Sequence, residues 1–194
     1  MANIIHIQAD DHSDSARSHR KDLLKSHCWL GEKNYLRGDR RIFVQFAAQT
    51  AAFPQETLSE ALLDAVCDGK TVSHKISRTH GTSLILALEH ILELVRLERN
   101  QGRFMPVLVT FAVHEAEPGP GQPLMDEEGL RYLRRLIQTL EDENAYVAMM
   151  GATQHLRGKI QRYFIQGDRQ RICLPENIDA CIQKIFEDVR NSAS

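Results

Sequence analysis

Residues 105–113, Met-Pro-Val-Leu-Val-Thr-Phe-Ala-Val, are the stretch from which the rest of the chain can be read. The run is nearly continuous in apolar character, rich in β-branched residues, and followed by a segment dense in Pro and Gly from Glu115 to Pro123. A strand with one wet face alternates apolar and polar side chains, so a run like this predicts a central parallel strand covered on both faces. The segments on either side read as its covering helices. Before it, Ser83 to Arg99 places Leu84, Leu88, Ile91 and Val95 on one face with Leu86, Leu92 and Leu94 on the flanks. After it, Met125 to Glu143 carries Leu130, Leu133, Ile137 and Leu140 at helical spacing.

Further outward the alternation continues. Asn144 to Gly151 (NAYVAMMG) predicts another central strand, Leu156 to Phe164 a short helix and Gln170 to Leu174 a short strand. Pro175 opens a last helix striped by Ile178, Ile182, Ile185, Phe186 and Val189. Toward the N-terminus, residues 3–9 (NIIHIQA) predict a buried strand stopped by Asp10 and Asp11, and residues 16–30 a helix ending at Gly31. Arg41 to Ala48 predicts a strand, and Gln55 to Cys67, with Leu58, Leu62, Leu63 and Val66, a helix closed by Gly69. Strands and helices alternating at this pitch imply right-handed crossovers. The fold expected is a doubly wound α/β domain spanning residues 1–194, with a mostly parallel central sheet and helices on both faces.

Bulk properties narrow the function classes. A chain of 194 residues buries roughly 70% of the surface its unfolded form exposes, so it needs neither disulfide nor structural metal to fold. A formal charge of -2 argues against a dedicated nucleic-acid binder, although nine histidines turn the balance positive on protonation. Cys28, Cys67, Cys173 and Cys181 stand far apart with no CxxC spacing, and read as thiols in a reducing compartment. The N-terminus lacks signal-peptide features and no apolar run is long enough to cross a bilayer. A cytoplasmic protein of bacterial style, with no membrane partner, is the expectation. No GxSxG elbow, Walker loop or dinucleotide fingerprint is present.

In doubly wound sheets ligands gather beyond the carboxyl ends of the strands. There the first strand is followed by Asp11-His12-Ser13-Asp14-Ser15, a DxSxS pattern, and the helix near Ser83 is preceded by Thr79-His80-Gly81-Thr82. A carboxylate and hydroxyls in one turn offer hard oxygen ligands to Mg²⁺ or Mn²⁺, and a Thr from a neighbouring loop completes such a face. The plain alternative is that Asp11, Ser13 and Ser15 cap the helix that follows.

Taken with the VLVT strand and the strand ending at Gly151, these motifs make the chain resemble the von Willebrand factor A domain over nearly its whole length. The resemblance implies a Rossmann-like fold carrying a metal-ion-dependent adhesion site. In such a site Ser13, Ser15 and Thr82 lie close to the metal, Asp11 belongs to its shell, and an open position accepts a partner's carboxylate. One departure stands out: where the family shows Asp in a T-D-G turn, this chain has Thr110-Phe111-Ala112. Loss of that carboxylate weakens a hard-cation site unless Glu115 or Glu117 substitutes.

The function expected is a non-enzymatic adaptor or regulatory domain that grips a protein partner at this edge through His12, His80, Gly81, Phe111, His114 and Glu115. By resemblance the partner is an AAA+ ATPase or a stress or defence complex. If no metal binds, Phe111 supplies apolar area at the interface centre. A metal-dependent hydrolase with His114 or Glu115 as base, and a metal-free structural subunit, are the alternatives. His12, His80, His114 and His155 all fall near predicted strand ends, so a softer metal or a pH response is a further option. Arg131, Arg134 and Arg135, next to Glu127, Glu128 and Glu141, read as a solvated salt-bridged face.

Overall fold

The computed structural model describes residues 1–14, 16–76, 81–164 and 172–192. The strands are β1 (Ile5–Asp11), β2 (Arg40–Phe46), β3 (Thr50–Pro54), β4 (Val107–Ala112), β5 (Ala145–Met150) and β6 (Ile172–Cys173). The helices are α1 (Arg17–Lys33), α2 (Glu60–Cys67), α3 (Leu84–Asn100), α4 (Glu127–Asp142), α5 (Gln154–Phe164) and α6 (Ile178–Asn191). The sheet order is β3-β2-β1-β4-β5-β6, parallel throughout except for the β2–β3 pair. The expected doubly wound α/β architecture is therefore the observed one.

β3 was not anticipated. Residues 50–54 (TAAFP) carry neither alternation nor a β-branched run, and Pro54 argues against an interior strand. At the sheet edge, where one side makes no ladder, such a strand is tolerated, and it folds back on β2 with Phe53 opposite Phe43. The helix expected over 55–67 splits: a single 3₁₀ turn spans Gln55–Thr57, then Ser59 accepts from the Leu62 amide to cap α2. Gly31 does not end α1, which continues to Lys33. Its missing side chain admits neighbours instead: a Cβ there would lie 2.8 Å from Arg41 Nη2 and 3.1 Å from His6 Cε1.

The two faces of β1 differ in kind. Ile5, Ile7 and Ala9 join β4 residues Val107, Val109 and Phe111 in the large core under α3, α4 and α5. His6, Gln8 and Asp10 point the opposite way, beneath α1 and α6, and are buried as well. That second layer is closed by Leu24, Leu30, Ile182, Phe186 and Val189. Arg190 ties it to the N-terminal region, donating to Asp39, to the Ala2 carbonyl and to the Asn34 carbonyl.

Cysteine usage departs from expectation. Cys28 on α1 and Cys67 at the end of α2 form a disulfide, with Cα atoms 5.4 Å apart. The two are 39 residues apart in sequence, and only the packing of α2 on α1 brings them together. Cys28 and Cys67 are thus paired, not the separate thiols that their spacing led one to expect. Cys173 and Cys181 are free thiols. Among the described residues no helix is long and apolar enough to cross a membrane.

Candidate functional site

The order of the sheet locates the site. Successive strands run outward from β1 to β2 and β3, then the chain returns to place β4 on the other side of β1. Loops leaving β1 and β4 therefore diverge, opening the crevice where doubly wound folds bind ligands. The DxSxS turn leaves β1 at this point.

Two backbone bonds bring the distant motifs to one rim. The His12 amide donates to the Phe46 carbonyl at 2.7 Å, and the Ser83 amide donates to the next carbonyl, Ala47, at 2.9 Å. The Asp11–Ser13 turn and the Thr82–Ser83 start of α3 are thus both fastened to the end of β2. Asp11 Oδ1 accepts from the Ser13 amide at 2.9 Å, which shapes the turn. Asp11, Ser13 and Thr82 are all buried. Among the described residues, Thr82 Oγ1 has no hydrogen-bond partner, although it is fully buried. Ser15, Thr79 and His80 lie outside the described residues.

The loop after β4 covers this rim. Glu117 accepts from the Thr82 amide at 2.7 Å through its carbonyl, while its side chain is exposed. Gln122 donates to the Ala48 carbonyl and accepts from the Gly119 amide, both at 2.6 Å, fastening the loop to the end of β2. Gly81, at φ +93°, lies against Gly119, so both its backbone angle and its lack of a side chain are used.

Several residues expected to face a partner are engaged inside the protein. Phe111 is fully buried and packs edge-on against Phe46, so it offers no apolar area to an interface. Odd-numbered β4 residues face the large core, and Phe111 fills volume where the family carries its acid. His12 is buried, its Nδ1 2.8 Å from Thr71 Oγ1. Glu115 accepts from the Thr153 hydroxyl beyond β5, on the side of β4 away from β1, and so does not replace the missing acid. His114 is partly buried, and its carbonyl accepts from the Thr153 amide. His12, His114 and His155 do not assemble into a three-ligand metal cluster among the described residues.

Sequence reasoning missed a polar layer below the rim. Asp10 Oδ1 lies 2.6 Å from His27 Nδ1, His27 Nε2 lies 2.6 Å from Thr110 Oγ1, and His6 Nε2 lies 2.8 Å from that same hydroxyl. Hydrogen counting gives one consistent arrangement with neutral rings. His6 donates to Thr110, Thr110 donates to His27, and His27 donates to the Asp10 carboxylate. Gln8 extends the chain, donating to Asp10 and accepting from Arg41. The sequence arrangement that produces it is the alternation His6, Gln8, Asp10 on β1, which was legible as a polar period within an apolar strand.

Carboxylate, imidazole and hydroxyl in line resemble a nucleophilic relay. Here, however, each member is buried and the hydroxyl already meets a second imidazole. The layer anchors α1 to β1 and β4. His6 is held well below the ordinary imidazole range by burial first, then by the guanidinium charges of Arg41 and Arg190.

No protein-family profile matches the chain, and no curated protein matches it in sequence. Solved structures do match its fold. The von Willebrand factor type A protein of Catenulispora acidiphila is similar with TM-score 0.59 and 12% identity, over 97% of this chain and 43% of its own. The manganese-loaded TRAP protein of Plasmodium vivax has TM-score 0.63 and 13% identity, over 95% and 73%. BatB, a conserved hypothetical protein of Bacteroides thetaiotaomicron, has TM-score 0.57 and 13% identity, over 98% and 99%. The chain spans less than half the length of the Catenulispora protein. Sheet order, the antiparallel edge strand and these likenesses together establish that the chain has a von Willebrand factor A-like α/β fold.

Proposed function

We propose that this chain is a non-enzymatic protein-binding module, an adaptor or regulatory domain, engaging its partner at the rim formed by Asp11–Ser13, Gly81–Thr82 and the loop after β4. Mg²⁺ or Mn²⁺ belongs to this reading, held by Asp11, Ser13, Ser15 and Thr82. The observation that carries it is the Thr82 hydroxyl, buried at the same end of β2 as the DxSxS turn and lacking a partner among the described residues. A buried hydroxyl left unsatisfied costs about 1–3 kcal/mol, a cost that a cation accepting its lone pair removes. Donor chemistry supports the choice of ion, because carboxylate and hydroxyl oxygens suit hard cations. The manganese in the TRAP protein of similar fold supports it too.

Bound there, the ion supplies a position that a partner's carboxylate can fill. The chain's own residues do the rest. Asp11 brings the one carboxylate, Ser13 and Thr82 bring neutral oxygens, and the 115–122 loop is the surface a partner meets first. The class of partner proposed is an AAA+ ATPase or a stress or defence complex, in the cytoplasm.

Thermal melts of the chelator-stripped, disulfide-bonded chain test the metal. With Mn²⁺ at about 100 times its Kd, mass action adds about 2.7 kcal/mol of stability. The shift is expected in the wild type and absent in Ser13→Ala and Thr82→Val. No shift with either Mg²⁺ or Mn²⁺ overturns the metal. Turnover of a phosphoester panel, lost in the same variants, overturns the non-enzymatic reading.

A further inference from the structure

We propose that the Cys28–Cys67 disulfide is reversible, and that its reduced form joins Glu32 to make a three-ligand site for a thiophilic divalent cation such as Zn²⁺. The site is separate from the rim and uses none of its residues.

The geometry is nearly assembled. Cys28, Glu32 and Cys67 form the one group among the described residues whose potential ligand atoms all lie within 4.8 Å of one another. Glu32 Oε1 is 3.8 Å from Cys28 Sγ and 3.7 Å from Cys67 Sγ. With Zn–S near 2.3 Å and Zn–O near 2.0 Å, a tetrahedral centre separates sulfur and oxygen ligands by about 3.5 Å. The carboxylate is therefore already placed near both sulfurs as a zinc ligand would be. Cys28 and Glu32 are one helical turn apart on α1, which fixes their pairing whatever α2 does. Cys67, the last residue of α2, supplies the third ligand.

Charge favours the same assignment. Arg41 is buried at this site, its Nη2 3.8 Å from Cys28 Sγ and its Nη1 3.9 Å from Glu32. Burial lowers its pKa, the mark of a cation lacking solvent and favoured by neighbouring anions. In the oxidised protein Glu32 balances Arg41. Reduction and deprotonation add two thiolate charges, and a divalent cation cancels them. Both states thus carry the same net charge, whereas a metal-free dithiolate adds two negative charges to a half-buried site. Arg41 also favours thiolate over thiol at Cys28. Glu32 is exposed and Cys67 partly so, which leaves an entry path and room for water as the fourth ligand.

The chemistry balances with a dithiol reductant. Two electrons from the reductant cleave the S–S bond, its two protons appear on Cys28 and Cys67, and the reductant leaves as its own disulfide. Metal binding then releases both thiol protons to water.

Titration of the full chain with Co²⁺, after phosphine reduction and under argon, reads the site directly. One equivalent is expected to produce a near-ultraviolet thiolate-to-cobalt band, which Zn²⁺ bleaches. Hard oxygen ligands at the rim give no such band, so failure here and failure of the Mn²⁺ test are independent. The oxidised chain and Cys67→Ser should lack the band. Glu32→Gln, which keeps the size of an exposed side chain and leaves Asp10 facing Arg41, should weaken Co²⁺ binding roughly tenfold or more, judged against the effects of lesser metal-site partners. Cys173→Ser/Cys181→Ser should bind as the wild type does. A reduced wild type without the band, or a band lost only when Cys173 and Cys181 are replaced, overturns the proposal.

Discussion

The ring of Phe111 meets that of Phe46 edge-on, their centroids 5.6 Å apart and their planes inclined by 75°. This contact joins β4 to β2 across the end of β1, in the layer directly below the candidate metal rim. A side chain in that role supports the fold and not an interface. Phe111→Ala is therefore expected to cost about 3–5 kcal/mol, the usual range for emptying a buried aromatic site. Urea denaturation measures it. A loss below about 1 kcal/mol would mean that the ring faces solvent.

Gly81 carries both conditions that exclude a side chain. Its φ is +93°, and a Cβ would lie 2.4 Å from the Gly119 nitrogen. Gly81→Ala must strain the backbone and push the covering loop away, at a cost above about 1 kcal/mol. Hydrogen exchange locates the effect: the Thr82 amide, which donates to Glu117, should exchange faster in the variant while the β1 amides keep their protection.

His6 makes stability depend on pH. Its native pKa lies well below 6.5 and its unfolded pKa near 6.5, so below that value the unfolded chain binds more protons than the native one. The contribution is complete about one unit above pH 6.5 and is lost progressively as pH falls through that value, at up to about 1.4 kcal/mol per pH unit from this group. Urea midpoints should therefore drop between roughly pH 7 and pH 5. His6→Gln, which can still donate to Thr110, should flatten that drop. An unchanged slope would show that His6 titrates normally.

Arg190 and Asp39 form a buried ion pair 151 residues apart in sequence. Asp39 also accepts from the Ile4 and Leu36 amides. Arg190→Met strands the carboxylate among these contacts, and a loss of about 3–5 kcal/mol is expected. Adding Asp39→Asn should recover part of it. A double variant whose losses simply add would mean that the two side chains act independently.

Much of the fold was legible because periodicity reports burial. Val107 to Ala112 and Ala145 to Met150 are apolar on both faces, as strands in the middle of a parallel sheet must be. β3 was not, since an edge strand lacks that requirement and its composition says little. The disulfide was hidden for a related reason: spacing in sequence carries no information on which helices pack together.

Local pattern alone specified the central strands of the doubly wound sheet, most of their covering helices and the DxSxS turn at the end of β1. It could do so because those features depend on neighbours a few residues away. Folding settled the remainder: that His12 and Ser83 bond to consecutive carbonyls of β2, that Phe111 turns inward, and that Cys28, Cys67 and Glu32 converge. Each of these depends on how separate elements pack, and the energies that choose the packing are sums over contacts that no short window of residues contains.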